Sequence, residues 1–267
     1  MSVRWWAFPL LLVFLLAAAG ILVVGFAAAL IYPTLPTLEV LTDYRPKIPL
    51  RVFSADGKLI GEFGEERRAV VKLEQVPKTL INAIVAAEDE RFYQHGGVDY
   101  LGVARAALSN FTSGGVKQGA STITMQVARN FFLSKEKTLT RKFNEMLLAF
   151  KIESNLSKQQ IIELYINQIY LGQRAYGFAA AAQIYYGRPL PELSIAQQAM
   201  LAGLPKAPSR FNPIANPSRA KLRQQYVLRR MRELGMITPE QLANADKEPL
   251  ATRPPANEFQ VHADYFA

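Results

Sequence analysis

The sequence predicts a mostly α-helical protein with a small β-hairpin, carried on one membrane-crossing helix at its N-terminus. Three observations point there. Leu10 to Ile31 is an uncharged run of 22 residues of Leu, Val, Ala, Ile, Phe and Gly, long enough to span the hydrocarbon core of a bilayer. Two short apolar runs flank Ser54-Ala55-Asp56-Gly57, a hairpin signal. From Pro77 onward apolar residues recur at helical spacing, with helix-start signals at the matching offsets. Composition agrees with one folded domain plus a small appendage: 267 residues, half of them hydrophobic and 20% charged. Cysteine is absent and only two histidines occur. Disulfides, thiolate metal sites and cysteine nucleophiles are thereby excluded, and too few ligands remain for an ordinary structural zinc site.

The anchor comes first. No charge falls between Arg4 and Glu39, and Leu10–Ile31 as a helix would extend roughly 33 Å. Trp5 and Trp6 at one end and Tyr32 at the other are placed like interfacial anchors. Pro33 and Pro36 then stop the helix. The competing reading is a cleaved signal peptide, with Ala27-Ala28-Ala29 as the cleavage site, but the run exceeds the roughly 7–15 residue core of such signals. An uncleaved anchor over 10–32 is therefore expected, with 1–9 as a short cytoplasmic N-terminus. Arg4 on one side faces Arg45, Lys47 and Arg51 on the other, so charge asymmetry alone does not fix the orientation. It follows instead the common arrangement of a single N-terminal anchor, with the bulk of the chain exported. No second apolar run reaches 18 residues.

Residues 33–49, with Pro33, Pro36, Pro46 and Pro49, read as an extended linker. Leu50–Phe53 and Lys58–Phe63 read as the two hairpin strands, and Val70–Leu73 as a third strand. After Pro77 the chain reads as helical, with no internal repeat. Ser157 with Gln160, and Ser194 with Gln197, form capping boxes ahead of apolar runs. Gly203 and Pro205 close the second of these helices. Residues 216–236 form a basic amphipathic helix, and the Pro-rich stretch from Lys247 reads as a linker. The expected domain is 50–246.

The net charge is +9, and residues 205–235 carry most of it: eight cations against Glu233 alone. Such a patch invites an anionic partner: nucleic acid, an anionic membrane surface or a phosphorylated substrate. Phe211 and Tyr226 are its only aromatic residues, too little stacking surface for single-stranded nucleic acid.

Two groups of carboxylates sit on apolar helical stripes. Leu80 and Ile84 lead to Glu88, and Ile81 and Val85 lead to Asp89, each at a spacing of four. Desolvation and the negative end of the helix dipole both oppose ionisation there. A carboxyl with a raised pKa is what a general base near neutral pH requires; the plainer reading is two solvated acids where a helix meets the surface. Glu145 lies beside Leu148, Ala149 and Ile152 on a second helix, with Arg141 and Lys142 one turn before it. This is either an ordinary surface pair or a carboxylate among cations that hold an anion. Ser113–Thr122 between the helices is Gly-rich and opens a helix, so it is a candidate phosphate cradle, though it lacks Gly-Lys-Ser/Thr.

Together these pieces resemble glycosyltransferase family 51, the peptidoglycan polymerases of class A penicillin-binding proteins. Glu88-Asp89-Glu90-Arg91-Phe92-Tyr93-Gln94-His95-Gly96-Gly97-Val98-Asp99 is similar to the first motif of that family, and Gly119-Ala120-Ser121-Thr122-Ile123-Thr124-Met125-Gln126 to the second. Arg141-Lys142-Phe143-Asn144-Glu145 resembles the third, and Glu163-Leu164-Tyr165-Ile166-Asn167 with Tyr170-Leu171-Gly172 the fourth. Four motifs in order are far more specific than any one. The likeness continues through Gly203–Pro208 and Asn212-Pro213. Met125 departs from the Gln of many members and puts that one contact in doubt.

The resemblance implies a lysozyme-like helical head with a small membrane-proximal jaw, acting on lipid II and the nascent glycan strand at the periplasmic face of the inner membrane. It implies Glu88 as the base that deprotonates the acceptor sugar's 4-hydroxyl, and Glu145 as an assistant near the diphosphate. Ser121, Thr122, Gln126, Arg129, Asn130, Arg141 and Lys142 would line donor and diphosphate contacts; Asp89, Phe92 and His95 would complete the first-motif wall. The one cofactor it leaves open is a divalent cation, Mg or Mn, and cell-wall synthesis proteins are the partners it leaves open beside the lipid bilayer. Nucleic acid is not expected. The residues read alone agree in kind: a diphosphate leaving group needs cations rather than a strong acid, and a sugar hydroxyl needs a base.

Two other readings compete. A lysozyme-like hydrolase or lytic transglycosylase would need an acid for its leaving oxygen and no diphosphate cradle. A non-catalytic cell-wall scaffold would not need Glu88. Transpeptidase signatures are incomplete: Ser134…Lys137 and Ser218…Lys221 match Ser-x-x-Lys, but no Ser-x-Asn or Lys-Thr-Gly occurs. The tail from 247 to Ala267 resembles the start of the linker that precedes a transpeptidase. The expectation is the N-terminal part of a bifunctional enzyme of the 1A type, unable by itself to bind penicillin covalently or to cross-link peptides.

Overall fold

A computed structural model describes residues 7–42, 50–57, 59–63, 66–113, 121–133 and 138–253. The chain opens with α1, Ala7–Ile31, an uncharged helix of 25 residues. Its side chains are exposed along most of its length, as expected of a helix that water alone would not hold. It is long and apolar enough to cross a membrane. Trp5, Trp6, Arg4, Arg45 and Lys47 lie outside the described residues.

Over its described residues, the stretch after α1, expected to be an extended linker, packs in part on the head. A 3-10 turn at Tyr32–Thr34 and the short α2, Glu39–Thr42, carry Leu35 and Leu41 into the main core. Ala28 and Ile31 of α1 pack against that core as well. Lys151 fastens the junction: its Nζ donates to the carbonyls of Leu35 and Pro36 at 3.2 and 3.0 Å, 6.0 Å from the ring centroid of Tyr32. Prolines keep the helical pieces here short but do not prevent burial, and apolar residues near them supply the packing.

The hairpin forms as expected, from β1 (Leu50–Phe53) and β2 (Leu59–Phe63), antiparallel with a register shift at Val52/Phe53. The third strand does not lie at Val70–Leu73. It is β3, Arg67–Arg68, paired in parallel with the distant β4, Ala175–Tyr176. Val70 is exposed and Leu73 begins a 3-10 turn. The backbone of Val71 bonds the Asn167 side chain in both directions, at 2.9 Å each, so a side chain replaces a strand partner.

The helical head follows: α3 (Lys78–Glu88), α4 (Tyr100–Ser113), α5 (Ile123–Phe132), α6 (Leu139–Glu153), α7 (Lys158–Gln168), α8 (Phe178–Tyr186), α9 (Ile195–Gly203), α10 (Pro217–Glu233) and α11 (Pro239–Lys247). Both expected capping boxes are present, Ser157 with Gln160 on α7 and Ser194 with Gln197 on α9. A third, Thr238 with Gln241, starts α11. One half of the core packs α3 against α9 and α10; the other packs α5 against α6 and α7. Leu80, Ile84, Ile123, Leu148, Ile161, Ile162 and Leu201 are fully buried between them. Residues 247–253, expected to begin a linker, lie against the head. Glu248 accepts from Ser194 and Lys221, and the Arg253 N–H donates to the Tyr185 carbonyl at 2.7 Å; these contacts hold the segment on the head.

Candidate active site

The helix α3 ends by carrying its buried stripe into a cleft of about 690 Å³ between the two halves of the core. Glu88 is its last residue, four after fully buried Ile84. Asp89 then leaves the helical conformation (φ −160°, ψ 77°). The cleft wall includes Glu88, Asp89, Glu90, Ser121, Thr122, Gln126 and Arg129, faced by Lys206, Arg223, Tyr226 and Arg230.

Only 11% of the Glu88 side chain is exposed. Gln126 donates to its Oε2 at 3.0 Å, and Arg223 Nη2 stands 3.5 Å from Oε1. Burial raises the Glu88 carboxyl above its ordinary value. The Gln126 hydrogen bond and the charges of Arg223, Lys206 and Arg129 pull the other way without cancelling it. A carboxylate so desolvated gains stability by taking a proton.

Asp89 shares the apolar approach but not the role. Its Oδ2 accepts the Ile123 backbone N–H at 3.0 Å, and its Oδ1 lies 3.0 Å from His95 Nε2. It ties the end of α3 to the start of α5. Thr122 caps α5 by accepting from the Met125 N–H and donates to the Gly97 carbonyl at 2.6 Å. Gly97 itself has φ 97°, and an added Cβ would meet the Ala149 backbone at 2.9 Å; only glycine allows the first motif to lie so close to α6.

Glu145 lies deeper still, with 1% of its side chain exposed. Lys142 Nζ donates to Glu145 Oε2 at 2.7 Å and to Ser121 Oγ at 2.8 Å. Arg141 Nε stands 3.4 Å from Glu145 Oε1, and both atoms are buried without a hydrogen-bond partner. Among the described residues, Glu145 is linked to the cleft through Lys142 and Ser121. Cations surround it, and no group of three Asp, Glu, His or Cys side chains able to hold a metal occurs among the described residues. This donor set suits an anion rather than Mg or Mn.

The expected residues divide accordingly. Glu88, Asp89, Ser121, Thr122, Gln126 and Arg129 meet at the cleft. Arg141, Lys142 and Glu145 form the adjoining charged group. Phe92 does not reach the wall: it is fully buried beneath Lys158, whose Nζ lies 4.4 Å from the ring centroid. His95 holds Asp89 from behind. Asn130 is exposed and outside the cleft lining. Met125 is buried with Val98 and Ala149, so the departure from the family's Gln falls in packing. Residues 114–120 of the Gly-rich loop and Ser134…Lys137 lie outside the described residues.

Sequence reading missed the opposite wall. Arg223 and Arg230 stand out in the sequence only as part of a basic stretch, and Lys206 only there and in the family likeness. Arg223 carried a readable signal: it falls on the stripe of Ala220, Val227 and Met231, all fully buried, where an arginine needs a reason. Glu90 was quoted in a motif without a role; it accepts from both Arg105 of α4 and Arg230 of α10.

A desolvated carboxylate in a cation-lined cleft of a helical head is the equipment of a group-transfer enzyme. Residues 56–232 match the Transglycosylase family model, and the chain belongs to that family. It is similar to Penicillin-binding protein 1A of Neisseria cinerea, 60% identical over 235 residues, which are 88% of this chain and 29% of that protein. Against Penicillin-binding protein 1A of Pseudomonas aeruginosa it is 46% identical over 265 residues, 98% of this chain and 31% of that one. A crystal structure of Penicillin-binding protein 1A from Haemophilus influenzae matches 83% of this chain and 23% of its own, with a TM-score of 0.50 and 32% identity. The chain thus spans about three tenths of the length of these curated relatives.

Proposed function

We propose that the chain is a peptidoglycan glycosyltransferase that polymerises lipid II into β-1,4 glycan strands and releases undecaprenyl diphosphate. The observation that carries this reading is Glu88: a buried carboxylate with a raised pKa at the end of α3, facing cations across the cleft. Glu88 takes the proton of the acceptor sugar's 4-hydroxyl. The freed oxygen bonds to the anomeric carbon of the growing strand, and the bond from that carbon to the diphosphate breaks. The diphosphate leaves as an anion, so it requires cations and no proton donor. Lys142 and Arg141, oriented by Glu145, are the cations for that end; Ser121, bonded to Lys142, and Thr122 line the same cleft as the base.

We assign α1 as an uncleaved single-span anchor in the inner membrane, with the head on the periplasmic side. A lipid-borne substrate then meets the cleft at the bilayer. The nascent strand is the second substrate, and other cell-wall synthesis proteins are its partners. The rival reading, a glycan hydrolase with the same helical head, is separated by one assay. The membrane-bound chain is given lipid II or pre-made glycan, and strands are resolved on a gel. Strand formation from lipid II is expected; shortening of pre-made glycan without polymerisation would replace the assignment.

A further inference from the structure

The side chain of Arg223 is 5% exposed, and a buried cation must be paired or held by dipoles to persist. Its Nε donates to the Gly203 carbonyl at 3.1 Å. Its guanidinium lies 4.7 Å from the Tyr226 ring centroid and 5.9 Å from that of Phe211. Space for it is made by a missing side chain: a Cβ on Gly203 would come within 2.9 Å of Arg223 Cγ. Among the described residues, Glu88 is its one carboxylate ion-pair partner, at 3.5 Å.

We propose that Arg223 is a positioning residue for Glu88, locked by Gly203, Tyr226 and Phe211 so that the base keeps one orientation toward the cleft. This rests on the assignment of Glu88 as the base. Arg223 on α10 holds Oε1 while Gln126 on α5 holds Oε2, and two anchors from opposite halves of the core fix the carboxylate plane. A contact of 3.5 Å is long for a charged hydrogen bond. It orients Glu88 without binding the electron pair that takes the proton. The other groups facing Glu88 are Lys206 beyond α9, Arg129 on α5 and the buried Tyr165 hydroxyl on α7. Loss of Arg223 leaves those in place and removes one positive charge, which shifts Glu88 further upward.

The test is polymerisation of lipid II by the membrane-bound chain across pH, for wild type, Arg223→Gln, Gly203→Ala and Glu88→Gln, with melting temperatures of each. Arg223→Gln should lower kcat about 10- to 100-fold, leave KM within about threefold, and move the acid limb of the rate to higher pH. Gly203→Ala keeps the charge but displaces it, and should move the same limb the same way with a smaller loss. It also serves if Arg223→Gln does not fold. An unmoved acid limb in the folded variants, with Glu88→Gln inactive, overturns the role of Arg223 alone. Normal turnover by Glu88→Gln overturns the assignment of the base, and this inference with it.

Discussion

Glu88 and Glu145 are the same residue type, each nearly buried on a helix and each near cations, yet the two sites are built for different work. Glu145 is gripped: Lys142 lies 2.7 Å away and its second oxygen faces Arg141 at 3.4 Å. Glu88 is held by a neutral amide at 3.0 Å and a guanidinium at 3.5 Å, in a cleft that admits a ligand. A carboxylate stripped of water and only weakly paired takes a proton readily. The difference separates a base from an orienting group.

The comparison is broken most easily at Glu88. Glu88→Gln should reduce polymerisation at least about 100-fold while leaving substrate capture nearly intact, since an amide keeps the shape and the Gln126 contact but cannot take the proton. Single-turnover kinetics with lipid II separates the two. Next comes Lys142→Ala, expected to cost roughly 10- to 100-fold in kcat/KM with KM carrying a visible share, because it both loses a cation and frees Glu145. If the two variants gave the same pattern, the division of roles would be wrong.

A smaller effect concerns stability. The folded Glu88 carboxyl titrates above its unfolded value, so its contribution is present below the unfolded pKa of about 4.3 and lost as pH rises through the folded value. Ionised Glu88 thus weakens the fold at neutral pH. Glu88→Gln should melt higher than wild type at pH 7–8, and the two should converge near pH 4 in thermal scans. The smallest change is expected of Ser121→Ala. It removes one hydrogen bond to Lys142, and a few-fold loss in kcat/KM is the expected reading.

What the sequence revealed follows from local physics. The length of α1, the hairpin around Asp56-Gly57 and the boxes at Ser157 and Ser194 depend on neighbours a few residues apart, and all formed. The stripe from Leu80 through Ile84 to Glu88 was legible for the same reason. What stayed hidden joins distant segments. Pairing of Arg67 with Ala175, burial of Leu35 and Leu41, and the approach of Arg223 to Glu88 each span many residues. Phe92 was misplaced on the wall because a motif names neighbours in sequence without saying which side chains turn inward.

The central claim is that burial makes Glu88 a base. The most direct measurement is kcat/KM for lipid II polymerisation by the membrane-bound chain as a function of pH. The account predicts an acid limb above about 4.3, the ordinary glutamate value, and no such limb in the residual activity of Glu88→Gln. An acid limb at the ordinary value, or one that survives in Glu88→Gln, would contradict it.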